Sequence, residues 1–126
     1  MYQDFHANDP WSGEDLHCQW TANVVAIATR HADAVDIRFQ VNGRGVWIAI
    51  PCIAWVEYKR RTGHVITDRL AAQAAGRFLK HAIEQGYDNG RDLYTMTVAE
   101  ALYHVHAVLD SAGHTRLLPV LPVIAG

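Results

Sequence analysis

The chain predicts an α+β domain: a small antiparallel sheet of three or more strands, followed by two helices packed on one of its faces, and an apolar C-terminal tail. Three observations carry this reading. Val35, Ile37, Phe39 and Val41 alternate with Asp36, Arg38, Gln40 and Asn42, and a strand turns successive side chains to opposite faces, so four apolar groups share one side. Asn42-Gly43-Arg44-Gly45 then leads straight into the apolar run VWIAI. Asparagine and glycine tolerate the positive φ of tight turns, which makes this a hairpin joining antiparallel neighbours. Further on, Leu70, Ala74, Phe78 and Ala82 recur every fourth residue, the spacing of one helical face.

Taken in order, residues 1–19 mix Gly, Pro, Asp and Asn with Phe5 and Trp11 and keep neither period, so they read as an irregular lead held by its aromatics. Trp20 to Arg30 is rich in β-branched residues and is followed by the small step HADA, a strand and its turn. After the hairpin, Pro51 cannot donate to a strand ladder but suits the first turn of a helix. Residues 52–61 therefore read either as a short helix ending before Gly63 or as an edge strand bent at Pro51, with the helix preferred.

Thr67 or Asp68 can cap a helix running through Gln85, and Gly86 ends it. YDNGRD at 87–92 is a turn. Thr97-Val98-Ala99-Glu100 has the spacing of a capping box, in which threonine and glutamate each accept from the other's backbone N–H, ahead of a second helix that should end near Gly113. The closing LLPVLPVIAG is too apolar to remain in water and is expected to dock, on its own sheet or on another copy. The whole chain, 1–126, reads as a single domain, because at 126 residues a division would leave two pieces too small to bury enough apolar surface.

Composition narrows the roles. Half of the residues are hydrophobic and 19% are charged, which fits a folded domain and excludes a disordered, highly charged chain. No stretch reaches the roughly 18 to 20 unbroken apolar residues of a membrane span, and the opening residues lack the basic start and apolar run of a secretory leader. A cytoplasmic protein without membrane contact is the expectation. Two cysteines, Cys18 and Cys52, are too few for a disulfide scaffold and read as unreactive thiols.

Catalytic patterns are weak. Ser12 and Ser111 lack the Gly-x-Ser-x-Gly elbow, Cys52 lies in an apolar run where burial would raise its pKa, and Cys18 has only His17 beside it. Glu14-Asp15 reads as a solvated acidic pair. No catalytic residue and no cofactor is assigned. Of the eight histidines, His104 and His106 stand two apart and point away from each other on a helix, whereas Glu100 and His104 share a face. Two ligands do not complete a metal site, so these two are weak metal candidates. Asn42-Gly43-Arg44-Gly45 joins strand to strand and is not a dinucleotide loop.

Charge is uneven: residues 1–19 carry four acids and no base, whereas residues 38–80 carry eight bases against Glu57 and Asp68. Phosphate backbones need clustered positive charge, and single strands also reward exposed aromatics. The expectation is a small non-enzymatic binding protein, homo-oligomeric through its tail or a sheet edge, that holds single-stranded nucleic acid with Arg38, Arg44, Trp47, Lys59, Arg60 and Arg61. A protein interaction module or accessory subunit is the alternative. A small metal-assisted enzyme using Glu100, His104 and a histidine brought in by folding is a further one.

Overall fold

The hairpin of the sequence lies at the centre of the sheet. In the computed structural model, which describes residues 2–26, 34–86 and 90–111, β3 (Ala34–Val41) and β4 (Arg44–Pro51) pair antiparallel from Val41 opposite Arg44 to Ala34 opposite Pro51. Asn42 and Gly43 both take positive φ at the tip, as a two-residue turn matched to strand twist requires. Val35, Ile37, Phe39 and Val41 are buried, as are Val46, Ile48 and Ile50 opposite them. The intervening residues stay half exposed.

The reading of residues 1–19 as an irregular lead is corrected. Asp4–Asn8 forms β1, and Asp15 opens β2 (Asp15–Ala26), the two paired antiparallel around the loop 9–14. Phe5 and Ala7 point inward, with the Phe5 ring edge-on to Phe39 at 6.0 Å. Only two inward residues alternate with polar ones here, too short a run for periodicity to resolve; the ladder to β2 decides the conformation. The strand expected at Trp20–Arg30 thus starts earlier, and residues 27–33 lie outside the described residues.

β2 shifts register between Trp20 and Ala22. One extra residue flips the faces, so Leu16, Cys18 and Trp20 point toward the core while Ala22 and Val24 fall on the opposite side. Asn23 then faces inward, where it accepts from Trp20 Nε1 at 2.7 Å and donates to the Asp68 carbonyl at 2.9 Å.

Pro51 ends β4 and α1 (Ile53–Thr62) begins, closed by Gly63 at φ 75. The helical reading of 52–61 holds, so the described residues form three helices rather than two. α2 (Asp68–Glu84) is capped by Thr67, whose side chain accepts from the Leu70 N–H at 3.1 Å. The capping box opens α3 (Val98–Ser111): Thr97 and Glu100 exchange side-chain to backbone bonds at 2.8 and 3.1 Å. Between α2 and α3, β5 (Leu93–Thr95) adds a short strand parallel to β4, which the sequence reading missed because three residues carry no period. The sheet order is β1-β2-β3-β4-β5.

All three helices pack on the face that carries Ile37, Phe39 and Ile48. Ala71, Ala72, Ala74, Ala75 and Gly76 let α2 approach closely, and at Gly76 a side chain would collide with the Tyr2 carbonyl oxygen. No helix among the described residues is long and apolar enough to cross a membrane. The tail at 114–126, with its expected docking and dimer contact, lies outside the described residues.

Candidate functional site

The opposite face of the sheet has no helix over it among the described residues. Register determines what it presents. Ala22, Arg38, Trp47 and Leu93 stand side by side in one row across β2, β3, β4 and β5, and Val24, Asp36, Ala49 and Thr95 form the next. Val24 and Leu93 are each 44% exposed, high for aliphatic side chains on a sheet. The Arg38 guanidinium lies across Gly45, 5.8 Å from the centre of the Trp47 ring. Thr21, the extra residue of the β2 irregularity, locks it there: its hydroxyl donates to the Arg38 carbonyl at 3.1 Å and accepts from the guanidinium at 3.3 Å.

Toward β1 the same face turns acidic and imidazole-rich. His6 and His17 sit opposite each other and stack with ring centres 4.5 Å apart and planes 6° from parallel. Each donates to a carboxylate, His6 to Asp15 at 2.8 Å and His17 to Asp4 at 2.5 Å. The hydrogen bond from His17 holds the Asp4 carboxyl below its usual range.

The six residues expected to form one basic surface are divided. Arg38 and Trp47 come together on the uncovered face. Arg44 pairs with Val41, whose side chain points to the helices, so strand alternation puts Arg44 on the other side of the sheet. There it donates to the carbonyls of Gly90 and Arg91 and to Asp92 at 2.8 Å. Lys59, Arg60 and Arg61 sit on α1, where Arg60 and Arg61 both bond Glu57, the latter at 3.0 Å. That pairing, Arg60 foremost, draws the Glu57 carboxyl below its usual range. Trp55 is half buried on α1 and donates to the Ile66 carbonyl at 3.0 Å. Neighbours in sequence thus do not share one surface here, because the hairpin reverses the parity of faces and α1 leaves the sheet altogether.

The weak metal pair behaves differently. Glu100 and His104 do share a face of α3, and folding brings in His81 from α2, its ring centre 5.6 Å from that of His104. Together with Phe78, Ala82 and Gln85 they line a cleft of about 300 Å³. Arg77 donates to His104 Nδ1 at 2.9 Å; a guanidinium only donates, so the neutral ring carries its proton on Nε2. Burial, reinforced by Arg77 and His81, pushes the His104 pKa down to about 4. A fixed cation at 2.9 Å opposes a metal ion at that nitrogen, and among the described residues no three His, Cys, Asp or Glu side chains are placed to hold one.

Another cleft, of about 330 Å³, opens beside the β3–β4 tip between Asp9, Glu14, Arg44, Leu79, Ile83 and Tyr94. Cys18 is buried and its thiol is pushed up to about 12 by desolvation, so it is inert as a nucleophile. Sequence reasoning missed Asp36, Val24, Leu93 and the His6–His17 stack as residues that share this face with Arg38. Asp36 was legible from the alternation in β3; the others required the strand order.

No family model, curated protein or solved structure matches this chain.

Proposed function

We propose that the protein is a non-enzymatic binding module that meets a polypeptide through the uncovered face of its sheet. The observation that carries this is the centre of that face: Arg38 held by Thr21 with its guanidinium 5.8 Å from the Trp47 ring centre, with exposed Val24 and Leu93 on either side. Contiguous apolar side chains without cover, rimmed by polar ones, are the mark of an interaction surface. Charge favours a polypeptide over a phosphate backbone. Asp4, Asp15 and Asp36 lie on this face with one arginine among the described residues of its strands, whereas Arg44, Arg60 and Arg61 are elsewhere and already bonded to carboxylates. We place it in the cytoplasm, a setting in which Cys18 and Cys52, neither of them in a disulfide, would stay reduced.

One observation supports a second reading: an aromatic ring with a guanidinium on a bare sheet can also stack an unpaired base. One pair of measurements separates the two. A photo-crosslinking residue at Gln40, on the bare face, should yield polypeptide adducts that Trp47→Ala abolishes, while the same residue at Arg69 on α2 should yield none. Fluorescence anisotropy with short single strands should give no binding at low salt. Strong salt-dependent binding to the strands, lost in Arg38→Gln, would replace the polypeptide with nucleic acid.

A further inference from the structure

We propose that the polypeptide on this face is a second copy of the chain, packed sheet against sheet about a two-fold axis passing over the middle of β3. This rests on the preceding reading that the uncovered face is the binding surface.

The argument comes from the two rows defined by strand register. Ala22, Arg38, Trp47 and Leu93 make the first, and Val24, Asp36, Ala49 and Thr95 the second. A two-fold axis lying between the sheets and across the strands at Ile37 maps each strand onto its own image, reversed, and so exchanges the rows. Every position then meets its complement. The Arg38 guanidinium, which lies across Gly45 and on Thr21 in the single chain, turns on docking to meet Asp36 of the copy, and Asp36 meets the copy's Arg38. Trp47 lies over the copy's Ala49, Val24 over its Ala22, and Leu93 over its Thr95. Opposite charges meet on the central strand and large side chains meet small ones on its neighbours, which is the interdigitation that sheets packed about 10 Å apart need.

Self-complementarity of this kind is what an isologous, closed dimer demands. Asp36 supplies the second half of the case, because it is half buried on the central strand and has no side-chain partner among the described residues. A lone carboxylate there would lose solvation on docking any uncharged surface. Against its own image it meets an arginine. The His6, His17, Asp4 and Asp15 group falls at the rim, on edge strand β1, where solvent still reaches it.

The test is a charge exchange read by sedimentation velocity of the full chain over a concentration series. Wild type should sediment as a dimer that dissociates on dilution. Arg38→Asp puts a carboxylate opposite Asp36 at both pairs, and Asp36→Arg puts two guanidinium groups together; each should raise the dissociation constant by about a hundredfold or more. Asp36→Arg combined with Arg38→Asp restores both pairs and should return most of the affinity. Ala49→Trp tests the same packing by bulk and should also give a folded monomer, which covers the case of a charge variant that fails to fold. A wild type that is monomeric throughout, single exchanges that leave the dimer intact, or a double exchange that stays monomeric would each overturn the proposal. The two readings fail separately: adducts at Gln40 that contain only other proteins would overturn the second copy and leave the binding surface in place, whereas no polypeptide adduct at Gln40 would remove the surface itself.

Discussion

The covered and uncovered faces of the sheet are built from the same strands, yet they do opposite things. On β3 the odd-numbered residues Val35 to Val41 are closed under α2, while Asp36, Arg38 and Gln40, one step away along the chain, face the other side. On β4 the two-residue tip reverses the parity, so Val46, Ile48 and Ile50 join the core and Trp47 and Ala49 do not. The difference teaches that strand alternation separates residues that fix the fold from residues free to meet a partner, and that size does not decide the assignment: the bulkiest side chain of the hairpin, Trp47, is on the open side.

The largest effect should break or uphold this division directly. Phe39→Ala removes a fully buried ring that meets Phe5 and the core beneath α2, and should cost about 3 to 5 kcal/mol in urea denaturation. Trp47→Ala removes more atoms but should cost only about 1 to 2 kcal/mol when measured in the Arg38→Asp background, where self-association is absent. Equal losses would mean that the face carrying Trp47 is part of the core.

A smaller effect concerns the covered side, where α2 and α3 hold a histidine away from water. His104 is only 6% exposed and accepts from Arg77, and its pKa falls from 6.5 to about 4 on folding. Because the unfolded chain then binds the proton more tightly, this contribution to stability is fully present above pH 6.5 and is lost as pH falls toward 4. Allowing for partial solvent screening, the loss is on the order of 2 kcal/mol. His81 is depressed by burial in the same sense and adds to it. His104→Gln keeps an acceptor for Arg77 but does not titrate, so denaturation from pH 7 to 4 should show a clearly shallower loss. An unchanged slope would place the titrating group elsewhere.

How much of this was legible in the sequence depended on how many residues shared a period. The β3–β4 hairpin, the Thr67 cap, the Thr97–Glu100 capping box and the glycine after α1 were all readable, because each is fixed by local backbone chemistry. β1 and β5 were not, since five and three residues in a strand become extended by pairing with a neighbour rather than by their own pattern. The site suffered more. The alternation in β3 puts Arg38 on the polar face, but which way Trp47 turns is not legible, and Arg44 crosses to the helix side because a two-residue turn swaps faces. Val24 reaches the row of Asp36 only because β2 slips by one residue at Thr21, an event with no signature in WTANVVA. A surface assembled from four strands becomes readable only when their order and registers are known.

The smallest expected effect sharpens the comparison at the rim of the open face. Asp4 is held below its ordinary value of 3.8 chiefly by the hydrogen bond from His17. A carboxyl depressed in this way favours the folded state above 3.8, and the benefit disappears as pH drops through the lower, folded value. Both partners remain in contact with solvent, so Asp4→Asn should leave the denaturation midpoint at neutral pH unchanged within error, in contrast to Phe39→Ala. The effect should instead be seen site by site: in an NMR titration the Asp4 carboxyl should have a midpoint below 3.8 in wild type and move up toward that value in His17→Gln. If Asp4 titrated normally in wild type, the His17 bond would not persist in solution. The stacked imidazoles would then lose one of the carboxylates that order them, and the open face would be organised by the Arg38–Trp47 pair alone.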